Sequence, residues 1–521
     1  MDNQVEKNST NTSIDSINAK TEPSNKTISS EDFMKSLDEI LANSTALINE
    51  RKSRAKNKEK SNTTVSSTLT HSNEFSIKVD DVLYTKDRKP ITVLKLLGNY
   101  SQYSEYLVKF LNHFYLLRWF DSFKWQNLKP FRDNIIALSK VDCKSKELLF
   151  PKEITRISVD GSFGCLFEPI PQEYYTLEDI IKGYIFTVQD DYTSKKKIKF
   201  KSIKAMVTAG INLANAFKTL HKHSLCFHSL DEKRILFNIN DGSLILDLFK
   251  EVSTIDSPEF VNLTDFNLAP EVLNGKNAPN IDSDNHTLSV LLFKLFFHSH
   301  PLEGREVIDD CCISAKEEVK HYADTPKFIF NPNDNSNHAV RGVHYVVISM
   351  WQKYPQYLKD AFIDVFCDGL KDVKKRYSTE EWLSILLHLK SDILTCVCGR
   401  SDFSFKYELT SEQFFCCQRC GSKYHSIKFL NKDITLPIYN GNVIYYAFVS
   451  NGLKSVDDLV GVVIENKVHA NLFGLKNVSK MPWACELSNG DLKNIGINDI
   501  LPIFANISID FGGSMAKFDA K

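Results

Sequence analysis

The sequence has no apolar run approaching the roughly 18 residues needed to span a bilayer, which excludes an ordinary transmembrane helix. It has no excess of charge either: 64 Lys and Arg face 65 Asp and Glu, for a formal net charge of −1. No global field therefore draws it to nucleic acid or to an acidic membrane surface. Its start, MDNQVEKNSTNTSIDS, lacks the apolar core of a secretory signal. It contains no internal repeats. These absences point to a cytoplasmic protein without a nucleic-acid or membrane partner. What is present is ordinary for globular proteins, with 42% hydrophobic and 25% charged residues over a length that suits about three domains.

Composition and periodicity divide the chain. Residues 1–75 are rich in Ser, Asn, Thr and Lys, and bury too little apolar surface to offset their ordering entropy. Within them, Phe33, Leu37, Ile40, Leu41 and Ile48 share one helical face behind a Ser30 cap, with Ser44 as the one polar residue on that face. Such a helix docks on a partner or on the chain's own domain, or forms only transiently. Residues 76–171 are strand-like, with a helical interlude at PFRDNIIALSK, and residues 172–392 carry long helical patterns. Strands followed by a larger helical lobe make the class α+β. From 433 to 521, short apolar runs alternate with Asn, Gly and Asp turns, as in a small sandwich or barrel.

Of twelve cysteines, seven are scattered (Cys143, Cys165, Cys226, Cys311, Cys312, Cys367 and Cys485) and are most simply small apolar residues. Disulfides are disfavoured in a reducing compartment. The other five crowd into residues 393–432. Cys417-Gln-Arg-Cys420-Gly has the spacing that lets two thiolates face one ion, and Cys396-Val-Cys398-Gly is one residue tighter. Cys416 or His425 is an alternative ligand, and five reduced core cysteines are the alternative without metal. Four thiolates with no open position make a structural zinc site rather than a catalytic one.

The stretch NLAPEVLNGKNAPNIDSDNHTLSVLLFKLFFHSHPLEGRE holds an Ala-Pro-Glu motif, an Asp-x-x-x-Leu helix start and His-Pro-Leu-Glu-Gly. With FIFNPNDNSNHAV and YPQYLKDAFIDVFCDGLKDVKKRYSTEEW, it makes residues 82–389 resemble protein kinases. The match is to a divergent bacterial serine/threonine kinase-like group that carries a similar cysteine module. The resemblance implies a bilobal kinase-like fold, followed by a zinc-ribbon-like module and a β-rich sandwich-like domain. It implies that Glu271 pairs with Arg376, and that Asp284 caps its helix and holds the catalytic-loop backbone. FGLKNVSKMPW and SIDFGG also resemble forkhead-associated sandwiches, which bind phosphothreonine. The Ser-Arg-His cluster of those binders is not visible, so an interaction domain is the reading kept.

The same resemblance exposes losses. In the glycine-rich loop, LLGNYSQYSEYLV keeps Gly98 but has Tyr100 and Tyr103 in place of the other two glycines, which implies a hairpin with an exposed aromatic tip. In YLLRWF, Arg118 takes the place of the phosphate-gripping lysine, and its planar fork is not equivalent. No partner glutamate is identifiable on the helix that follows. In CFHSLDEKRILFNINDGSLILDLF, His228 stands for arginine, Ser229 for the catalytic aspartate and Arg234 for the metal-binding asparagine. Loss of a general base costs about 10²–10⁴-fold in rate. A cation about 4 Å from a metal site costs about 4 kcal/mol per unit charge at an effective dielectric near 20. Asp247 remains as a metal ligand.

Three functions follow from the resemblance. The first is a pseudokinase scaffold that holds ATP without Mg²⁺ through Gly98, Arg118 and Asp247. The second is an active serine/threonine kinase with an atypical site. The third is an interaction module that binds no nucleotide. The resemblance also implies protein partners of the von Willebrand factor A type or metal-dependent phosphatases.

Overall fold

A computed structural model describes residues 77–519, apart from 126, 144, 190–191, 249–250, 255–264, 311–317, 413, 451, 453–454, 470–471 and 505. The helical pattern around Phe33–Ile48, and the rest of 1–75, lie outside the described residues. The chain divides into two units, 1–64 with 187–193 and 65–186 with 194–521, and the fold is that of the second. The class is mixed α+β, with several separate sheets and a cysteine cluster. No helix among the described residues is long and apolar enough to cross a membrane.

The first section is a six-stranded antiparallel sheet in the order Val82–Tyr84, Pro90–Asn99, Ser104–Phe110, His113–Phe120, Phe163–Phe167, Glu153–Ile154. Its tightest hairpin turns through Leu111 and Asn112, both at positive φ, which matches the natural twist of paired strands. The helix Leu128–Leu138 begins at Asn127, whose side chain accepts from the Lys129 amide. It buries Phe131, Ile135 and Leu138, and Phe131 stacks on Trp125 and meets Phe120 edge-on. The parallel pairing of Leu148–Leu149 with Leu244–Asp247 joins this section to the next.

Three long helices pack together at the centre of the helical section. Ile203–Lys222 is capped by Ser202, Ile281–Phe297 by an Asn280/Ser283 box and Thr379–Ser391 by a Ser378/Glu381 box. The second is buried along nearly its whole length. At Gly210 a Cβ would sit 2.9 Å from the Phe296 ring and 3.6 Å from Leu386, so the glycine permits all three helices to approach closely. The hairpin Tyr184–Gln189/Tyr192–Lys197 interrupts the helical pattern expected of 172–392, its first strand being a run of aromatic and β-branched residues, YIFTVQ.

Glu271 and Arg376 form a two-pronged pair, Nη1–Oε1 2.6 Å and Nη2–Oε2 2.8 Å, and Arg376 also donates to the Gly369 and Asp282 carbonyls. Arg376→Ala strands Glu271, and breaking a buried pair this way typically costs about 3–5 kcal/mol. Denaturant unfolding is expected to show a loss of that size.

The last section is two packed sheets. One has six strands in the order Ile434–Pro437, Ser426–Phe429, Met515–Asp519, Ser508–Asp510, Trp483–Glu486, Leu492–Ile495; the other has four, Val443–Tyr445, Leu459–Glu465, Phe473–Asn477, Ile500–Pro502. The strand Ser426–Phe429 falls inside the interval 393–432 assigned to the cysteine module. It is nonetheless paired on both sides within the six-stranded sheet, with Ile434–Pro437 and Met515–Asp519, and follows the module's last strand without a linker.

The helical section, the cysteine-bearing segment and the last section meet at the end of the helix Thr379–Ser391. Ser391 donates to the Val443 carbonyl, and Asn442 donates to the Ser391 carbonyl. The Asp392 carboxylate accepts from the Ser404 hydroxyl and, at 3.4 Å, from Tyr357. Burial pushes Asp392 up to about 7, and these hydrogen bonds offset only part of the shift. The folded state thus holds a proton that the unfolded state releases above about pH 4. Stability falls as pH rises from there through 7. Moving a carboxyl this far costs about 4 kcal/mol once it is ionised. Asp392→Asn is expected to raise the melting temperature by several degrees at pH 8 and to leave it unchanged at pH 4.

Candidate functional site

Asp247 ends the strand Leu244–Asp247 and is buried. Both of its oxygens are taken. Arg118, in the strand His113–Phe120, donates from Nη1 to Oδ1 at 2.6 Å and from Nη2 to Oδ2 at 2.8 Å. Arg234, at the end of the short turn Glu232–Arg234, donates from Nη1 to Oδ2 at 2.7 Å. Burial would raise the Asp247 pKa, but the two guanidinium groups outweigh it and hold the carboxyl down at about 2.

Two further carboxylates complete the network: Glu105 meets Arg118 Nε at 3.1 Å, and buried Glu251 lies 3.8 Å from Arg234 Nε. Two cations and three carboxylates thus nearly neutralise one another in a region shielded from water. The helix Leu128–Leu138 does not supply the glutamate sought for Arg118. Its one acidic residue, Asp133, is exposed and pairs with Lys129.

The tyrosines roof this network. Tyr103 is only 8% exposed, and its ring centroid lies 5.6 Å from the Arg118 guanidinium carbon and 5.9 Å from that of Arg234. Tyr100 packs on Tyr103 at 4.7 Å and folds back over Gly98, where a Cβ would stand 2.9 Å from its ring. Gly98 therefore makes room for an aromatic ring. The Tyr100 amide donates to the Tyr103 carbonyl, Trp125 donates to the Gln102 carbonyl, and Lys124 ties Asn99 to Ser104, which pins the turn. The expected exposed aromatic tip is corrected: apolar burial and the two guanidinium faces draw the rings inward.

The segment from Cys226 to Arg234 is anchored from beneath. Asp284 accepts from the Phe227 amide at 3.2 Å and from His221 Nε2 at 2.9 Å. Asp265 accepts from the Leu230 amide, and Asn267 donates to the Leu230 carbonyl. The His228 amide donates to the Glu251 carbonyl, and burial holds the imidazole down at about 4, so it is neutral. Ser229 is buried beside it.

The second candidate site is the cysteine module. Its hairpin Ile393–Thr395/Ser401–Phe403 carries Cys396 and Cys398 in the turn. The short sheet Glu408–Leu409, Phe415–Cys416, Lys423–Tyr424 carries Cys417 and Cys420. Each pair sits in a tight turn closed by a glycine at positive φ, Gly399 or Gly421. The four sulfurs lie within 4.8 Å of one another, with Cys396–Cys420 at 3.4 Å and Cys398–Cys417 at 3.8 Å. A tetrahedral zinc with bonds of about 2.3 Å places its sulfurs about 3.8 Å apart, so the quartet fits such an ion. Among the described residues it is the one cluster of His, Cys, Asp and Glu able to share a metal. Cys416 lies outside it, with its thiol directed at the Gly421 carbonyl, and the His425 ring packs on Phe414.

No family model and no curated protein matches this chain.

Among these residues, Arg118, Arg234 and Asp247 come together, and so do the four cysteines. Glu105, Glu251 and the inward turn of Tyr103 were not anticipated. A signal existed for the first: once Leu111 and Asn112 make the turn, the register places Glu105 directly opposite Arg118, and opposite charges at such positions stabilise paired strands.

Proposed function

We propose that the chain is a cytoplasmic pseudokinase, a kinase-fold signalling scaffold that transfers no phosphoryl group, with a structural zinc site and a sandwich domain for protein contacts. One observation carries this reading: both oxygens of Asp247 are held by Arg118 and Arg234. A carboxylate so engaged is not available to Mg²⁺, and the guanidinium groups are engaged in turn. Exposing them to phosphate would also require lifting Tyr100 and Tyr103. This favours a cleft that binds no nucleotide over the metal-independent ATP site expected for Gly98, Arg118 and Asp247.

The kinase-like reading of the fold is supported by the Glu271–Arg376 pair and by the Asp284 grip on the Phe227 amide. In this reading the ion network fixes the two lobes, so that the surface, not the cleft, does the signalling. Partners of the von Willebrand factor A or metal-dependent phosphatase type belong to the same proposal. The test is transfer of labelled phosphate from ATP to the chain itself and to a generic basic protein substrate. No incorporation is expected with Mg²⁺ or Mn²⁺, and clear Mg²⁺-dependent labelling rejects the proposal.

A further inference from the structure

One member of the cysteine quartet differs from the rest. Cys396 and Cys417 are buried and Cys398 is half-buried, whereas Cys420 is exposed. Among the described cysteines it is the one that is exposed. Burial pushes the Cys367 thiol up to about 11 and raises that of Cys165 as well, so neither reacts readily near neutral pH. A zinc ligand, by contrast, is held as the thiolate, the form that oxidants attack.

An exposed thiolate becomes a reversible sensor when a second thiol stands beside it to resolve the oxidised sulfur. Cys396 Sγ lies 3.4 Å from Cys420 Sγ, closer than the 3.8 Å between Cys398 and Cys417. The chain itself helps to hold that pair together. Val397, next to Cys396, donates its amide to the hydroxyl of buried Tyr424 at 2.9 Å, which ties one cysteine turn to the other. A Cβ at Gly399 or Gly421 would meet nothing within 4 Å, so both turns have open space beside them. The sulfurs can therefore close from 3.4 Å to the roughly 2.05 Å of a disulfide. The Cys416 thiol is directed at the Gly421 carbonyl and lies outside the quartet.

We infer that Cys420 and Cys396 form a peroxide-responsive pair whose oxidation to a disulfide expels the zinc, an inference that rests on the zinc assignment. The Cys420 thiolate attacks one oxygen of hydrogen peroxide and the O–O bond breaks. One oxygen stays on sulfur as a sulfenic acid, and the other leaves as hydroxide and takes up a proton to become water. The Cys396 thiolate then attacks the Cys420 sulfur. The S–S bond forms, the S–O bond breaks, and the departing hydroxide becomes a second water. The two sulfurs lose the two electrons that the peroxide gains. Zinc keeps only Cys398 and Cys417 and is released. The hydrogen bond from Ser404 to Asp392 carries the loosening to the end of the helix Thr379–Ser391. In a reducing compartment such a disulfide is transient, as befits a sensor.

The test treats the full zinc-loaded chain with excess hydrogen peroxide, reads released zinc with a chromogenic chelator and maps disulfides by mass spectrometry. Loss of the bound zinc and a Cys396–Cys420 disulfide are expected, and dithiothreitol with added zinc is expected to restore the starting state. Cys416→Ser is expected to carry zinc and to respond as the wild type does. Zinc that stays bound through the treatment overturns the inference and leaves the zinc assignment standing, whereas protein isolated without zinc removes both. A disulfide through Cys416 or between Cys398 and Cys417, loss of the response in Cys416→Ser, or release with only irreversible sulfinic products also overturns it.

Discussion

Protein purified without chelator is expected to carry one zinc per chain, and Cys417→Ser is expected to carry none. The cysteine module has a small core of its own, Leu394, Tyr407, Phe415 and Tyr424 around the two buried ligands Cys396 and Cys417. A core of that size cannot offset the ordering entropy of its segment without a staple. Structural zinc in comparable small motifs supplies about 10–16 kcal/mol of apparent binding free energy, which acts as folding free energy. Removing the metal is therefore expected to melt the module first. Because Asp392 and Ser404 tie it to the last helix, the neighbouring section should lose stability with it. Elemental analysis gives the stoichiometry, and near-ultraviolet circular dichroism around Tyr407 and Tyr424 follows the melting. A folded module with no metal refutes the assignment.

The second large effect is expected at Asp247. Asp247→Ala leaves Arg118 and Arg234 close together in a buried site, with Glu105 and the more distant Glu251 as the carboxylates beside them among the described residues. Breaking one buried pair costs about 3–5 kcal/mol, and here one carboxylate serves two cations, so a loss at the upper end of that range is expected. Adding Arg118→Met should restore part of the stability, since it removes a stranded charge and keeps much of the volume beside Phe167. The network also predicts a pH dependence. Asp247 titrates lower in the folded chain than in the unfolded one, so its stabilisation is complete above about pH 4 and is lost as pH falls through 2. Urea titrations of the three proteins at pH 7 separate the cases.

Several site features were legible because their residues carry their own spacing. The four cysteines come from two short motifs, and the turns they imply are the turns that form. Glu271, Asp284 and Arg376 stand in motifs far apart in the chain; Glu271 pairs with Arg376 and Asp284 holds the Phe227 amide, but the helix is capped by the Asn280/Ser283 box and not, as expected, by Asp284. The α+β order was legible from the change of hydrophobic period. Other features depend on tertiary packing that no local pattern records. Tyr103 turns inward because two guanidinium groups and Phe120 lie beneath it. Ser426–Phe429 joins the sandwich because its partners Ile434–Pro437 and Met515–Asp519 flank it on both sides. Arg234, expected as a cation beside an empty metal position, instead pairs with Asp247, thirteen residues downstream.

The central claim is that Arg118 and Arg234 hold Asp247 where an enzyme would hold a metal. It is tested most directly by calorimetric titration of ATP into the wild-type chain, with and without Mg²⁺, beside Arg234→Asn. The account predicts that adding Mg²⁺ produces no binding in the wild type, because neither oxygen of Asp247 is available. It predicts that any Mg²⁺ dependence that emerges does so only in Arg234→Asn. Mg²⁺-dependent ATP binding by the wild type contradicts the account and makes the cleft that of a working enzyme.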